Sequence, residues 1–347
     1  MVKKANTLML IIDGHEDLAW NAIELEREIT VPLAEIRQAE GYAPAHGEGT
    51  ATVSLPSLRA AGVRVVFGTV FTYPEGSSSS ARRGYTSPDE AFNRGMAQVD
   101  YYHALEAKGQ ATILRRKADL EAVLTGSGKL PGLALLMEGA DPIRTPDELG
   151  IFIAAGVRFI GLSWKATRYA GGTGMPGPLT EAGRVLLREM ERQRVVLDVS
   201  HLAEEAFWQA MECFGGKVIA SHANCRAIVP TERQLSDEMI KAVADRDGVI
   251  GLVFYDKFIR PERDRPVTLA DLVRHADHIT QLVGTRHLAL GSDLDGGIGR
   301  EVIPQGIDSV EDLPRFADAL AAAGYSDEDI AAIMGENWLR VLRQVYV

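Results

Sequence analysis

The chain has 347 residues, with 37 Lys+Arg against 48 Asp+Glu and a formal net charge of −11. Its 46% hydrophobic and 24% charged residues supply a large core, which excludes disorder, and the acidic balance argues against nucleic acid as a partner. Two cysteines, Cys213 and Cys225, are too few for a disulfide scaffold or a four-thiolate zinc site and fit a reducing compartment.

The basic start, Lys3-Lys4, precedes only a short apolar run at 8–12 before Asp13. That run is shorter than the ~7–15 residues of a secretory h-region and the ~20 of a membrane span, so the expected location is cytoplasmic, with no membrane contact. Further apolar runs follow at 63–70, 133–137, 158–162, 195–199, 218–220, 249–254 and 288–290. They are nearly continuous in Val, Ile, Leu and Ala, as parallel strands buried on both faces are.

Helix-like stretches with start signals lie between them. Thr180 precedes 181–194, Ser236 precedes 237–244, and Ser309 precedes 310–323, which Gly324 ends. Ser326 opens 327–334, where acids at 327, 328 and 329 suit the positive end of a helix dipole. The long gap after the second strand holds the serine run 77–80, Arg82-Arg83 and a helical stretch 88–108, read as an inserted loop and helix at a barrel mouth. Eight β-then-α units predict a (β/α)8 TIM barrel with mouth insertions, one domain over 1–347. A doubly wound sheet calls for a glycine fingerprint after the first strand, and Asp13-Gly14-His15-Glu16-Asp17 is not one.

Active sites of such barrels form where strands end. The first strand is followed by His15-Glu16-Asp17, where alternation lets His15 and Asp17 converge while Glu16 points away. Glu138 follows the third strand, Ser200-His201 the fifth, Ser221-His222 the sixth, and Ser292-Asp293-Leu294-Asp295 the eighth. Each alone has a bland explanation, such as a helix cap, a satisfied histidine or a turn former. Imidazole or carboxylate after five of eight strands, all at one end, instead points to a divalent metal site in which a bridging Glu admits two ions.

Ser200-His201 and Ser221-His222 are sequence neighbours, so strand geometry predicts diverging side chains and no Ser–His dyad. Cys225 reads as a buried small hydrophobe, Gly171–Gly174 as a flexible mouth loop, and His275 with His278 as a solvated surface pair. His46, His103 and His287 belong to no pattern.

These residues resemble the renal or membrane dipeptidase family of binuclear zinc peptidases, an amidohydrolase-like branch. The matching segments are Asp13-Gly14-His15-Glu16-Asp17-Leu18, Glu138-Gly139, Leu197-Asp198-Val199-Ser200-His201, Ser221-His222, Arg233-Gln234-Leu235-Ser236-Asp237, Gly291-Ser292-Asp293-Leu294-Asp295-Gly296 and Gly335-Glu336-Asn337-Trp338-Leu339-Arg340. The resemblance implies two Zn2+ ions bridged by Glu138 and a water or hydroxide, with His15 and Asp17 on one ion and His201 and His222 on the other. It also implies that Asp293 handles the water's proton, that Arg233 holds the substrate's terminal carboxylate and that Tyr255 contacts substrate. Trp164 stands where some members have a histidine that contacts the substrate carbonyl, so the chain departs from the pattern at one substrate-binding position. The implied function is hydrolysis of small dipeptides, L-Xaa-D-Xaa among them, by a homodimer of bacterial, intracellular type. The alternative is a binuclear metal amidohydrolase acting on another small amide, lactone or acyl-amino acid.

Overall fold

The computed structural model describes residues 9–41, 49–76, 83–126, 131–262 and 264–347. The basic start, His46, the serine run and Arg82 lie outside the described residues.

All eight expected strands are present: β1 (Ile11–Glu16), β2 (Val63–Phe71), β3 (Gly132–Glu138), β4 (Val157–Gly161), β5 (Val196–Asp198), β6 (Val218–Ile219), β7 (Ile250–Leu252) and β8 (Leu288–Leu290). Every pairing is parallel, in the order β7-β8-β1-β2-β3-β4-β5-β6, and an Ala220–Ile250 bridge joins β6 back to β7. The result is a nearly closed TIM barrel. A two-residue strand, Thr112–Ile113, adds to the base of β3.

Side-chain alternation along the strands sorts the core into two layers. Ile12, Val65, Phe67, Ala134, Leu136, Phe159, Val196, Ile219, Val249 and Ala289 fill the barrel interior. Their neighbours Ile11, Val66, Leu135, Ile160, Leu197 and Val218 pack outward under the helices. Trp338 plugs the interior, its ring 4.8 Å from Phe67 and its Nε1 donating to Leu290 O at 2.6 Å. Truncating a buried Trp costs about 3–5 kcal/mol.

Three elements differ from expectation. The helix Pro88–Ala107 packs on the outside of β2 instead of over the mouth, because Tyr102 donates to Thr69 O and Gln98 bonds both backbone groups of Phe71. Pro314 breaks the expected 310–323 helix into a turn, Val310–Asp312, and a helix, Pro314–Ala322, which starts on the proline because its missing N–H is not needed there. The helix after Ser326 widens at Ala332–Glu336 into a π turn and runs on to Val345, carrying Trp338 under the barrel. Among the described residues no helix is long and apolar enough to cross a membrane.

Candidate metal centre

The interior alternation continues past the apolar layers into the chemistry. Glu138 shares the inward parity of Ala134 and Leu136, so it points into the mouth. Gly251 and Gly291 make room at this level. A Cβ on either would stand 2.0 or 1.9 Å from Ser221 O, so neither position admits a side chain. His201 (φ 65°) and Asp293 (φ 55°) are held in the left-handed region that non-glycine residues rarely occupy, a strain of about 1–3 kcal/mol that clusters at functional sites.

Around Glu138 the imidazoles divide between the two oxygens. Oε2 lies 3.3 Å from His15 Nε2, while Oε1 lies 3.1 Å from His201 Nε2 and 3.8 Å from His222 Nε2. His15 Nε2 is also 3.9 Å from Asp17 Oδ1 and 4.0 Å from Asp293 Oδ1. His15, Glu138 and His222, and again His15, Asp17 and Asp293, each bring one donor atom apiece within 4.8 Å of one another.

The opposite ring nitrogens are all occupied. Ser221 Oγ reaches His15 Nδ1 at 3.2 Å and His222 Nδ1 at 2.9 Å, and Thr173 Oγ1 reaches His201 Nδ1 at 3.0 Å. Such outer partners fix the rotation and tautomer of metal-binding imidazoles and leave Nε2 free to ligate. His15 Nε2 is buried and has no hydrogen-bond partner. An orphaned buried imidazole nitrogen beside carboxylates is the donor set of a borderline to hard divalent cation, and these residues fit one.

The electrostatics agree. Burial favours the neutral His15 ring, yet the Glu138, Asp293 and Asp17 carboxylates push it up to about 10. Burial opposes ionisation of Glu138, but His15 and His201 hold it below the usual carboxylate range. Burial, reinforced by Glu138, raises Asp17 well above that range. Burial also lifts Asp293 to about 7, with His15 and Arg233 opposing. Burial and the Arg233 charge bring His201 down to about 4. Beside the Arg233 cation, a protonated His15 supplies positive charge among these carboxylates, and a divalent cation would supply it without that proton.

A second layer braces the first. Thr69 Oγ1 donates to Asp17 Oδ1, and Asp295 Oδ1 accepts from Asp17 N at 2.5 Å. Glu16 indeed turns away from Asp17, but into a buried network. Ser292 Oγ lies 2.7 Å from Glu16 Oε1 and 2.6 Å from Asp13 Oδ2, and Asp295 N donates to Glu16 Oε2 at 3.2 Å. Asp198 Oδ1 accepts from Ser200 N and Ser221 N, tying β5 to the loop after β6.

The cluster floors a pocket of about 370 Å3. Tyr255 and Phe258, after β7, line one side with rings 4.9 Å apart. Trp20, Phe71, Tyr73 and Trp164 line another. Arg233 sits behind His222 and Phe258. It is buried, its Nη2 donates to His222 O at 2.8 Å, and its Nε and Nη1 have no partner.

Several expectations fail. Ser221 and His222 do not diverge, because β6 ends at Ile219 and the chain bends, so alternation no longer applies. Ser221 thereby becomes an orienting group for two histidines. Gly171–Gly174 is not a loose loop. It forms the turn region of an antiparallel hairpin, Ala170–Gly172 with Met175–Leu179, which delivers Thr173 to His201. His275 is buried, accepting from Cys225 N and bonding Ile259 O through Nε2, while His278 pairs with Asp237 at 2.7 Å. Cys225 is buried as expected, and burial raises its thiol. Ser221 and Asp295 lie within matched motifs that do not single them out as orienting groups, and Thr69 and Thr173 carry no sequence signal.

Fold and site together define a TIM barrel with a candidate metal centre at the C-terminal ends of its strands. The sequence pattern of the membrane dipeptidase family, peptidase family M19, matches residues 2–346, and the chain belongs to that family. It is 37% identical over 210 residues to a protein of the pqqA 5′ region of Klebsiella pneumoniae, covering 57% of this chain and 76% of that one. It is 31% identical over 241 residues to the dipeptidase tcpJ of Claviceps purpurea, covering 67% of this chain and 55% of that protein. A metallo peptidase from Rhodobacter sphaeroides, solved with a phosphinate mimic of L-Ala-D-Ala, superposes with a TM-score of 0.81 at 25% identity, over 97% of this chain and 99% of that one.

Proposed function

We propose that the chain is a zinc-dependent dipeptidase with a two-ion centre. The observation that carries this reading is the convergence of three Nδ1-anchored imidazoles on the two oxygens of Glu138. His15 and Asp17 would hold one ion, His201 and His222 the other, with Glu138 shared. Zinc held by these residues would supply polarisation of a scissile carbonyl and a water pKa lowered to about 7.

The chain's own residues do the rest. Asp293, held in place by its left-handed backbone, takes the proton of the attacking water and delivers it to the leaving amine. Arg233, with donors of its guanidinium left unpartnered, binds the substrate's terminal carboxylate, a recognition that limits the substrate to two residues. Tyr255 and Phe258 exclude water on that side. The family assignment supports dipeptide hydrolysis, and the L-Ala-D-Ala mimic in the Rhodobacter sphaeroides relative supports including L-Xaa-D-Xaa. We further propose a cytoplasmic homodimer of one domain.

The test is hydrolysis of L-Xaa-L-Xaa and L-Xaa-D-Xaa dipeptides by metal-replete protein, with metals quantified in the same sample. Two zinc ions per chain, and activity that a chelator abolishes and zinc restores, are expected. Turnover of lactones or acyl-amino acids with no dipeptide cleaved would refute the reading.

A further inference from the structure

Across the mouth from Arg233 the pocket wall is aromatic. Trp20 follows β1, Phe71 ends β2 with Tyr73 just beyond, and Trp164 follows β4. The Phe71 ring centroid is 5.9 Å from that of Trp20, 5.6 Å from Tyr73 and 5.2 Å from Trp164. Trp164 in turn lies 6.2 Å from the His201 ring, so the wall reaches the metal-binding cluster. Its only charged neighbour in the described pocket lining outside that cluster is Lys165, whose Nζ sits 5.6 Å over the Trp164 ring.

Trp164 is held in this position. Its carbonyl accepts from Thr173 N at 2.9 Å, and Gly172 of the hairpin packs so closely that a Cβ there would stand 2.6 Å from Lys165 O. Barrel order sets the direction. Arg233 and Phe258 come from the β6–β7 side, whereas the wall comes from β1, β2 and β4. A dipeptide with its carboxylate on Arg233 and its peptide bond over Glu138 therefore presents its N-terminal residue to the wall.

We propose that Trp164, with Phe71 and Tyr73, forms the subsite for the N-terminal side chain and selects large apolar and aromatic residues there. This inference rests on the dipeptidase reading and adds a substrate class to it. Aromatic faces reward apolar area removed from water, and one methylene in such a pocket is worth about 10–200-fold in discrimination.

The experiment compares L-Ala-L-Ala, L-Leu-L-Ala, L-Phe-L-Ala and L-Glu-L-Ala as substrates of the metal-replete full chain. In parallel it measures binding of hydrolysis-resistant phosphinate analogues bearing methyl or benzyl at the N-terminal side. The Leu and Phe substrates should exceed Ala about tenfold or more in kcat/KM, and benzyl should outbind methyl by a similar factor. Trp164→Ala should bring both ratios to within about threefold, while Trp164→Phe keeps most of the preference. Preference for Ala or Glu overturns the inference, as does an unchanged ratio in Trp164→Ala. If Trp164→Ala does not fold, the wild-type panel and Trp164→Phe decide. Absence of all dipeptide turnover would refute the proposed function, and the analogue ratio would still decide the subsite.

Discussion

Ser221 Oγ is the one atom that both His15 Nδ1 (3.2 Å) and His222 Nδ1 (2.9 Å) reach, and Ser221→Ala removes it from both at once. An unsatisfied buried polar group costs about 1–3 kcal/mol. Ser200 Oγ, 3.3 Å from Ser221 Oγ, is near enough to turn towards one ring. The metal-free variant should then lose about 1–3 kcal/mol of stability, and about twice that if both rings stay bare. Metal binding suffers separately, because loss of an outer partner typically weakens affinity 10–100-fold, or about 1.4–2.8 kcal/mol. Thr173→Val is the matched comparison, since Thr173 serves only His201. Titration of zinc against a chromogenic chelator, with thermal unfolding of the metal-free proteins, measures both effects. Ser221→Ala should lose more zinc affinity than Thr173→Val. Zinc affinity within about threefold of wild type, or a smaller loss than in Thr173→Val, would refute the view that Ser221 aims two ligands.

The other predictions concern the reaction and the scaffold. Asp293→Asn should keep its metals but lose about 10²–10⁴-fold in kcat, measured by steady-state kinetics beside metal analysis, and full activity would remove Asp293 from the reaction. Arg233→Lys gives up the planar fork, so KM for dipeptides should rise more than kcat falls; unchanged constants would end the carboxylate-clamp idea. Away from the site, the hydrogen bond from the exposed Arg265 holds the buried Asp271 below the usual carboxylate range, with the Thr268 backbone amide helping. Its stabilising contribution is thus complete above about pH 4 and lost as pH falls below it. Asp271→Asn should flatten the acid limb of a stability-against-pH curve, and an unaltered limb would show that the pair contributes nothing.

The strands were legible because parallel barrel strands are buried on both faces and read as apolar runs, and all eight lie where those runs do. His15, Asp17, Glu138, His201, His222 and Asp293 were legible because they interrupt the apolar pattern at one end of it. Helix boundaries were less so. Pro314 splits one helix and a π turn extends another, since both depend on how the chain seats against the barrel.

The partners of these residues were hidden for a different reason. Ser221 lies 206 positions from His15, and Asp295 lies 278 from Asp17, distances that local pattern does not span. The same holds for His275, whose neighbours Cys225 and Ile259 turn an expected surface residue into a buried one. Residue chemistry and alternation therefore announce the candidate metal ligands and the end of the barrel where they gather. Only closure of the sheet, which brings β1 beside β8 and Ser221 against His15, decides which hydroxyls and carboxylates hold those groups in place.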